Sequence, residues 1–400
     1  MDTLRQFIQY AYANAPAVKA ILDGANLSPD DIQAVADLDR IPVTSKDRLV
    51  ELQQADPPFG GFLAVPFEEI QHVFYSPGPL YEPHAGESAV TDTVREMLAI
   101  AGFEAGEVVI NTFGYHLIPT GLAIDQALRD IGAKVIPAGV GNADLQIKMM
   151  RDLGVTGYVG TPSWLMALIQ KAEEMGLDFG QLSLRKALVS AEPLPPDLRQ
   201  TFVEKYGLRV TNAYGTAELG FLAYDTEGSL PMRLLETLII QVANPETGEP
   251  VTSGAVGEVV VTTFNETYPL IRLGTGDLAM NVDPAPGQSR QSERSIILVG
   301  RLGDAVKVRG MFVHPNQLRF ALGRIPGVAG FQALITRPEN RDQFTLRVAL
   351  VEEAADRETL VAALSTAIQS ACRVKVDQFE FVSADDFDEG AQIILDERNW

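Results

Sequence analysis

The sequence is short of cysteine, of basic residues and of long apolar runs, and each shortage excludes a class of protein. Cys372 is the single cysteine among 400 residues, which excludes an intrachain disulfide and a cysteine-based zinc site. Lys and Arg number 32 against 53 Asp and Glu, a net charge of −21 that disfavours binding of nucleic acid over a broad face. No apolar run is long enough to span a bilayer, and the first residues lack the pattern of a signal peptide. We therefore expect a cytoplasmic protein that binds neither nucleic acid nor membranes.

The stretch between about residue 106 and Gly207 alternates between short apolar strands and helices that end at glycines. Strand Val108–Asn111, for example, precedes helix Thr120–Ile131, which stops at Gly132. The same pattern predicts strands Lys134–Pro137, Val155–Val159 and Arg185–Ser190, and helices Ala143–Leu153, Trp164–Met175 and Pro196–Tyr206. This alternation is typical of a parallel α/β sheet.

The pattern changes after Gly220. Short β-rich runs at Leu238–Ala243, Glu258–Phe264 and Ser295–Val299 predict an antiparallel β subdomain. From Arg301 a mixed pattern of helices and strands predicts a small α+β domain. The expected fold class is therefore α/β, with a large multi-layer N-terminal domain (1–300) that holds parallel sheets and the β subdomain. A small mobile C-terminal domain (301–400) would follow a hinge near Gly303.

One polar stretch, NAYGTAELG at residues 212–220, holds side chains suited to a nucleotide site. We expect an extended segment, Leu208–Thr211, to lead into a tight turn that presents Tyr214, Thr216 and Glu218. An aromatic ring can stack on a base, and a nearby carboxylate can hold a divalent cation against phosphates. The alternative is an ordinary polar turn that contains a tyrosine.

Three further stretches are candidates of the same kind. Leu273–Asp277 would place a carboxylate at the end of a glycine-rich turn after a strand, where it could bind ribose hydroxyls or simply close a hairpin. Gly300–Gly310 is a charged joint, either a pivot for a rotating domain or a solvated linker. Ser190–Leu194 follows a strand, so it is either a ligand-binding loop or a proline-terminated one.

The order and spacing of these four stretches resemble the adenylate-forming superfamily, and in particular its phenylacetate–CoA ligase branch. NAYGTAE is similar to the family's N-x-Y-G-x-T/S-E, RLGTGD to its R-Y-R-T-G-D, and SAEPL to its G-A-E-P loop. GRLGDAVKVRG followed by MFVHP resembles its hinge motif. The resemblance covers nearly the whole chain.

The resemblance implies an ATP-dependent ligase that activates a small carboxylic acid, expected to be aryl, as an acyl-adenylate and transfers it to CoA. It implies Mg²⁺ on Glu218, and a catalytic set of Glu218, Thr216, Arg301 and Lys307. It also implies a nucleotide-binding set made of Ala191, Glu192, Pro193, Asn212, Tyr214, Gly215 and Asp277. Tyr214 would stack near adenine, Asp277 would bind the ribose, and Thr216 would touch phosphate.

The phosphate loop departs most from the family pattern. The family's S-S-G-T-T-G-K-P corresponds here to Ser76–Pro83, in which Pro79 and Leu80 lack hydroxyl groups and Glu82 replaces the lysine. A proline also lacks the backbone N–H that a phosphate cradle needs. A negative charge at Glu82 would work against triphosphate binding.

Three other departures follow along the chain. Ala217 stands where the family has Thr or Ser, and Gly303 replaces the first hinge aspartate, although Asp304 remains. The C-terminal lysine that would follow Gly390 is Ala391. Losing one such donor typically lowers the rate by about 10²–10³.

These departures leave two hypotheses open. The first is an active acid–CoA ligase, and the second is a non-catalytic or partly active protein that binds nucleotide or acyl-CoA on the same scaffold. In the acyl pocket, implied near Phe113–His116, Tyr115 and Trp164 are either core residues or substrate walls. The identity of the acid and the oligomeric state stay open, with a homodimer among the options.

Overall fold

The computed structural model describes residues 2–76, 79–86, 89–309, 311–338, 342–351, 357–383, 387 and 392–398. The chain divides into two compact units. The first comprises Met1–Pro250, Val259–Thr275 and Val282–Ile297, and the second comprises Val251–Glu258, Gly276–Asn281 and Leu298–Trp400.

The first unit begins with three helices and a hairpin. The helices are α1 (Asp2–Asn14), α2 (Pro16–Gly24) and α3 (Lys46–Ala55), and the hairpin pairs β1 (His72–Ser76) with antiparallel β2 (Leu80–His84). Ser45 caps α3 by accepting a hydrogen bond from the backbone N–H of Arg48 at 3.1 Å. This cap explains why the helix starts directly after the Thr-Ser pair.

The alternating region follows, and each predicted element except the helix Pro196–Tyr206 is confirmed to within two residues at either end. After α4 (Ala89–Ala101) come β3 (Val108–Asn111), α5 (Thr120–Asp130), β4 (Lys134–Pro137), α6 (Ala143–Asp152), β5 (Gly157–Gly160), α7 (Pro162–Glu174), β6 (Lys186–Val189) and α8 (Pro196–Gln200). A single π-helical turn, Thr201–Lys205, extends α8. Glycines with positive φ, such as Gly132 at 85° and Gly154 at 61°, end the helices because they adopt the left-handed conformation without a steric penalty.

The strands of this region and those that follow form one sheet. The later strands are β7 (Arg209–Thr216), β8 (Gly220–Asp225), β9 (Met232–Leu234), β10 (Ile239–Ala243), β11 (Val256–Thr262), β12 (Leu273–Val282) and β13 (Ser295–Arg301). Within the described residues, the sheet order is β10-β11-β12-β13-β9-β8-β7-β6-β5-β3-β4. Strands β3 to β7 pair in parallel, whereas β8 and β9 are antiparallel to their neighbours. The α/β fold class is thus confirmed.

Two clusters of buried apolar side chains pack around the parallel strands. One cluster includes Ile110 and Tyr158 with Leu165 and Leu168 of α7. The other includes Val109 with Met97 and Leu98 of α4 and residues of α5. Neighbouring residues of β3 therefore point into different clusters, as expected for a sheet with helices on both faces.

The second unit contains a four-stranded sheet with two helices. Its elements are β14 (Val306–Val308), β15 (Met311–Val313), α9 (Pro315–Leu322), β16 (Val328–Thr336), β17 (Gln343–Leu350), α10 (Arg357–Cys372), β18 (Gln378–Val382) and β19 (Ile394–Asp396). The sheet order is β18-β17-β16-β19, and side chains of α9 and α10 share its buried core. Cys372 lies in this core, where burial raises the pKa of its thiol to about 12. None of the described helices is long and apolar enough to cross a membrane.

Candidate active site

The stretch that carries Tyr214, Thr216 and Glu218 is a β-hairpin, and the predicted tight turn was wrong in extent. Strand β7 continues through Thr216, so Tyr214 and Thr216 lie on the strand and only the residues around Glu218 form the turn. The strand persists because Tyr214 pairs with Ala223 of β8 and Gly215 occupies an irregularity in the register. A Cβ atom at Gly215 would lie 2.3 Å from the carbonyl oxygen of Gly220, so only glycine fits there.

Glu218 is buried at the end of this hairpin beside one lysine. Its side chain is 5% exposed, and Oε2 lies 3.2 Å from Nζ of Lys46, at the start of α3. Apart from this ion pair, Oε2 has no hydrogen-bond partner among the described residues, and neither does the hydroxyl of Thr216. A buried oxygen atom without a hydrogen-bond partner destabilises the fold unless a ligand binds to it, so this arrangement fits a residue that binds a cation.

A second carboxyl group, that of Glu82, is buried close to Glu218. Glu82 is 4% exposed on β2, and in the described part of the chain neither of its carboxyl oxygens makes a hydrogen bond of full geometry, although the Ser76 side chain lies close to it. Burial, followed by the charge of Glu218, raises the pKa of Glu82 to about 8, while Ser76 and Lys46 act in the opposite direction. The sequence predicts a negative charge at the phosphate loop, and in the structure that carboxyl group, on Glu82, is buried where the charge of Glu218 acts on it.

Gln53 fixes the strand that carries Glu82. Its side-chain oxygen accepts from the backbone N–H of Tyr81 at 2.8 Å, and its Nε2 donates to the Tyr81 carbonyl oxygen at 2.8 Å. The same Nε2 lies 2.8 Å from the hydroxyl oxygen of Tyr268. Burial, followed by the charges of Glu82 and Glu218, raises the pKa of Tyr268.

The loop Ser190–Leu194 follows β6, as predicted, at the carboxyl end of that strand. Ser190 is buried and donates from Oγ to the carbonyl oxygen of Ala213 at 2.7 Å, which ties the loop to β7. Ala191 has a φ of 68°, a conformation that non-glycine residues seldom adopt and that is often found at ligand sites. Ala191, Glu192 and Pro193 are all exposed, and half-buried Asn212 lies at the same level of the sheet, paired with Val189.

Asp277 lies within strand β12, so the predicted glycine-rich turn was wrong here. The strand continues through Gly276, despite its φ of 74°, because the Gly276 N–H donates to the side chain of Glu258 at 2.9 Å. In the same unit, Arg301 Nε lies 2.9 Å from Asp277 Oδ1. The structure thus brings two predicted site residues together, with the Arg301 side chain 66% exposed.

The hinge stretch follows Arg301. Gly303 lies in a short 3₁₀ turn, Leu302–Asp304, and a Cβ atom added there would meet nothing within 4 Å. Lys307 lies on β14, where its backbone pairs with Phe312 of β15. Gly310, Pro77 and Gly78 lie outside the described residues, as do Gly390 and Ala391, the position of the absent lysine.

Sequence reasoning missed Lys46, Gln53 and Tyr268 as site residues. One signal was available for Lys46, because a cation in the first turn of a helix opposes the helix dipole and therefore calls for another partner. No local pattern could have identified Gln53 or Tyr268, because their roles depend on contacts between distant segments. No group of three or more His, Cys, Asp or Glu residues suited to a metal occurs among the described residues.

Comparison with known proteins identifies relatives that match most of this chain. A family model described as AMP-binding enzyme matches residues 127–265. A phenylacetate–coenzyme A ligase of Thermus thermophilus is 31% identical over 363 residues, 88% of this chain and 80% of that protein. The corresponding Escherichia coli ligase is 28% identical over 370 residues, 88% of this chain and 82% of that one.

Solved structures give the same result. The crystal structure of an open conformation of 2-hydroxyisobutyryl-CoA ligase, in complex with 2-HIB-AMP and CoA, matches with a TM-score of 0.82 at 25% identity. The match covers 99% of this chain and 90% of that one. With the motifs in order along the chain and a relative above 30% identity over most of both lengths, the chain belongs to the phenylacetate–CoA ligase family of adenylate-forming enzymes.

Proposed function

We propose that this protein is an AMP-forming ligase that joins a small carboxylic acid to CoA. The observation that carries the proposal is the 31% identity with a phenylacetate–coenzyme A ligase over 88% of the chain. A carboxylate oxygen of the acid attacks the α-phosphorus of ATP and displaces pyrophosphate, and the CoA thiol then attacks the acyl carbon and displaces AMP, losing its proton. The first step joins two anions, so the site must position them and offset their charge.

In this proposal each candidate residue has a separate task. Glu218 would hold Mg²⁺, which would supply positive charge to the phosphates, and its buried Oε2, whose one recorded contact among the described residues is the ion pair with Lys46, fits that task. Lys46, 3.2 Å from Glu218, adds a second positive charge. The remaining roles follow the family resemblance. Tyr214 stacks on adenine, Thr216 contacts phosphate, and Lys307 acts in the CoA step. The ribose is contacted by Asp277 and Arg301, and the nucleotide is lined by Ala191, Glu192, Pro193, Asn212 and Gly215.

We assign the acyl and nucleotide sites to residues 1–300, and a small domain that turns about the hinge near Gly303 to residues 301–400. The open space around Gly303 supports a role in backbone freedom rather than packing. A G303P variant should lower thioester formation more than pyrophosphate release. Equal losses in both steps would count against a hinge at this position.

The direct test incubates the protein with ATP, Mg²⁺, CoA and a panel of aryl and short alkyl acids. We expect an aryl acid to give an acyl-CoA thioester, detected by mass spectrometry, with release of AMP and pyrophosphate. A panel with no thioester and no acid-dependent pyrophosphate release would refute the ligase.

Because ATP and CoA are cytoplasmic metabolites, we also propose a cytoplasmic location. A homodimer stays a prediction, which light scattering would test.

The alternative is a protein that binds nucleotide or acyl-CoA without turnover. Glu82 favours it, because a buried carboxyl group beside Glu218 would repel a triphosphate if ionised. This alternative predicts binding of ATP, AMP or CoA by calorimetry without product. An E82K or A391K variant that gains a large rate would indicate a decayed enzyme, whereas measured thioester from the wild-type protein would eliminate the alternative.

A further inference from the structure

Glu82 is a buried carboxyl group that the proposed reaction does not use. Acidic side chains are rarely fully buried unless they are paired, because an isolated charge loses its hydration. Glu82 is 4% exposed, and neither of its carboxyl oxygens makes a hydrogen bond of full geometry among the described residues, although Ser76 lies close enough to lower its pKa. The buried group is therefore incompletely satisfied, and a bound proton or a ligand would complete it.

The orientation of Glu82 is built into the fold. Gln53 binds both the N–H and the carbonyl group of Tyr81, each at 2.8 Å, in the manner of a neighbouring strand. Successive residues of a strand point to opposite faces, so fixing the Tyr81 backbone with its side chain outward directs Glu82 inward. The direction of this carboxyl group is therefore a fixed feature of β2.

Glu218 and Ser76 both act on the carboxyl group of Glu82, and Thr216 lies two residues before Glu218 in the hairpin. Glu218 Oε2, Ser76 Oγ and Thr216 Oγ1 are buried and lack hydrogen-bond partners in the described part of the chain. Carboxylate and hydroxyl oxygens are the ligand types that Mg²⁺ and Mn²⁺ select. Lys46 lies 3.2 Å from Glu218 and its charge also acts on Glu82, so it offsets one of the two negative charges.

We propose that Glu82 and Glu218 together form a two-carboxylate site for a divalent cation, which Mg²⁺ or Mn²⁺ occupies before any nucleotide binds. The inference rests on the proposed function in taking Glu218 as a metal-binding residue, and it adds Glu82 as the second ligand. Mg²⁺ sites in proteins commonly use one or two carboxylates and complete the shell with water and phosphate. A second carboxylate would allow the cation to bind without the phosphates.

The test measures binding of Mn²⁺ alone to the full chain, without nucleotide, by electron paramagnetic resonance titration at pH 8.5. We compare the wild-type protein with E82Q and with E68Q, a control that removes the charge of an exposed glutamate. We expect one Mn²⁺ per wild-type chain, at least a tenfold weaker affinity for E82Q, and no change for E68Q. Equal affinities for the wild-type protein and E82Q, or no binding to the wild-type protein at millimolar Mn²⁺, would overturn the proposal.

A second variant guards against a folding defect in E82Q. E82D keeps a carboxylate on a shorter stem, so its Mn²⁺ affinity should fall between those of the wild-type protein and E82Q. If E82Q does not show the circular dichroism spectrum of the wild-type protein, the Mn²⁺ affinity of E82D becomes the deciding measurement. An E82D affinity equal to that of the wild-type protein contradicts the site, and a lower affinity supports it. The thioester assay is a separate measurement, so the two proposals can fail independently. If Mn²⁺ binding depends on Glu82 but no acyl-CoA forms, only the ligase function is refuted. If acyl-CoA forms but Mn²⁺ binding does not depend on Glu82, only the role of Glu82 as a second ligand is refuted.

Discussion

Replacing Glu82 by glutamine should stabilise the first unit, and by more as the pH rises. The pKa of Glu82 is raised to about 8 from an ordinary value of 4.5. A carboxyl group whose pKa is higher in the folded state holds its proton there while the unfolded chain releases it. Its contribution to stability is therefore present below about pH 4.5 and is lost progressively as the pH rises to about 8.

The magnitude follows from the two pKa values. Between about pH 5.5 and 7.5 the wild-type protein should lose about 1.3 kcal/mol of unfolding free energy per pH unit through this group, roughly 2.5 kcal/mol in all. Glutamine has a similar shape and never ionises. The difference in unfolding free energy between E82Q and the wild-type protein should therefore grow by that amount over the same range.

The assay is urea unfolding in EDTA, which removes divalent cations, followed by tryptophan fluorescence. The chain has two tryptophans, so a W400F background leaves Trp164 of α7, in the first unit, as the reporter. E68Q, which alters an exposed glutamate, should show no such trend with pH. If the difference between E82Q and the wild-type protein stays constant or shrinks as the pH rises, the buried position of Glu82 is refuted.

Three further variants test other parts of the structure. K46M should lower acid-dependent pyrophosphate release by about 10²-fold, because it removes a positioned cation beside Glu218, whereas K46R should retain most of the activity. G215A should destabilise the hairpin by about 1–3 kcal/mol, seen as a lower melting temperature, because its Cβ would collide with the Gly220 carbonyl oxygen. D342N should melt below the wild-type protein at pH 7, and the gap should close as the pH falls towards 2. Burial raises the pKa of Asp342, but hydrogen bonds from the Arg309 backbone N–H and from the side chains of Arg337 and Arg398 outweigh it and lower that pKa to about 2.

The alternating part of the fold could be predicted because its signals are local. Apolar strands, helical spacing and glycines at helix ends lie within a few residues of the elements that they define. Strand β4 matches its prediction residue for residue, and α5 ends one residue early, at Asp130. The hairpin of β7 and β8 was predicted less well, because its polar residues favour a turn, whereas cross-strand pairing with β8 keeps them extended.

The candidate site was only partly accessible from the sequence. The motifs identified Glu218, Asp277 and Arg301, and the structure pairs the last two at 2.9 Å. The sequence could not show that Glu82 is buried, since the alternation in LYEPH fits either face of a strand. Nor could it show that Lys46 contacts Glu218, because that ion pair joins segments far apart in the chain.

The substitution at Glu82 and the proposed cation site can be connected through charge. Exchanging the family's lysine for an ionised glutamate lowers the local charge by two units, which is the charge that one divalent cation brings. With Lys46 held against Glu218, a cation between the two carboxylates would leave this pocket positive overall, as triphosphate binding requires. The ligase would then depend on free Mg²⁺ in addition to the Mg²⁺ that accompanies ATP. Titrating Mg²⁺ above saturation of ATP should therefore raise the adenylation rate of the wild-type protein and leave that of E82Q unchanged. A rate that stops rising once all ATP carries Mg²⁺ would contradict this connection.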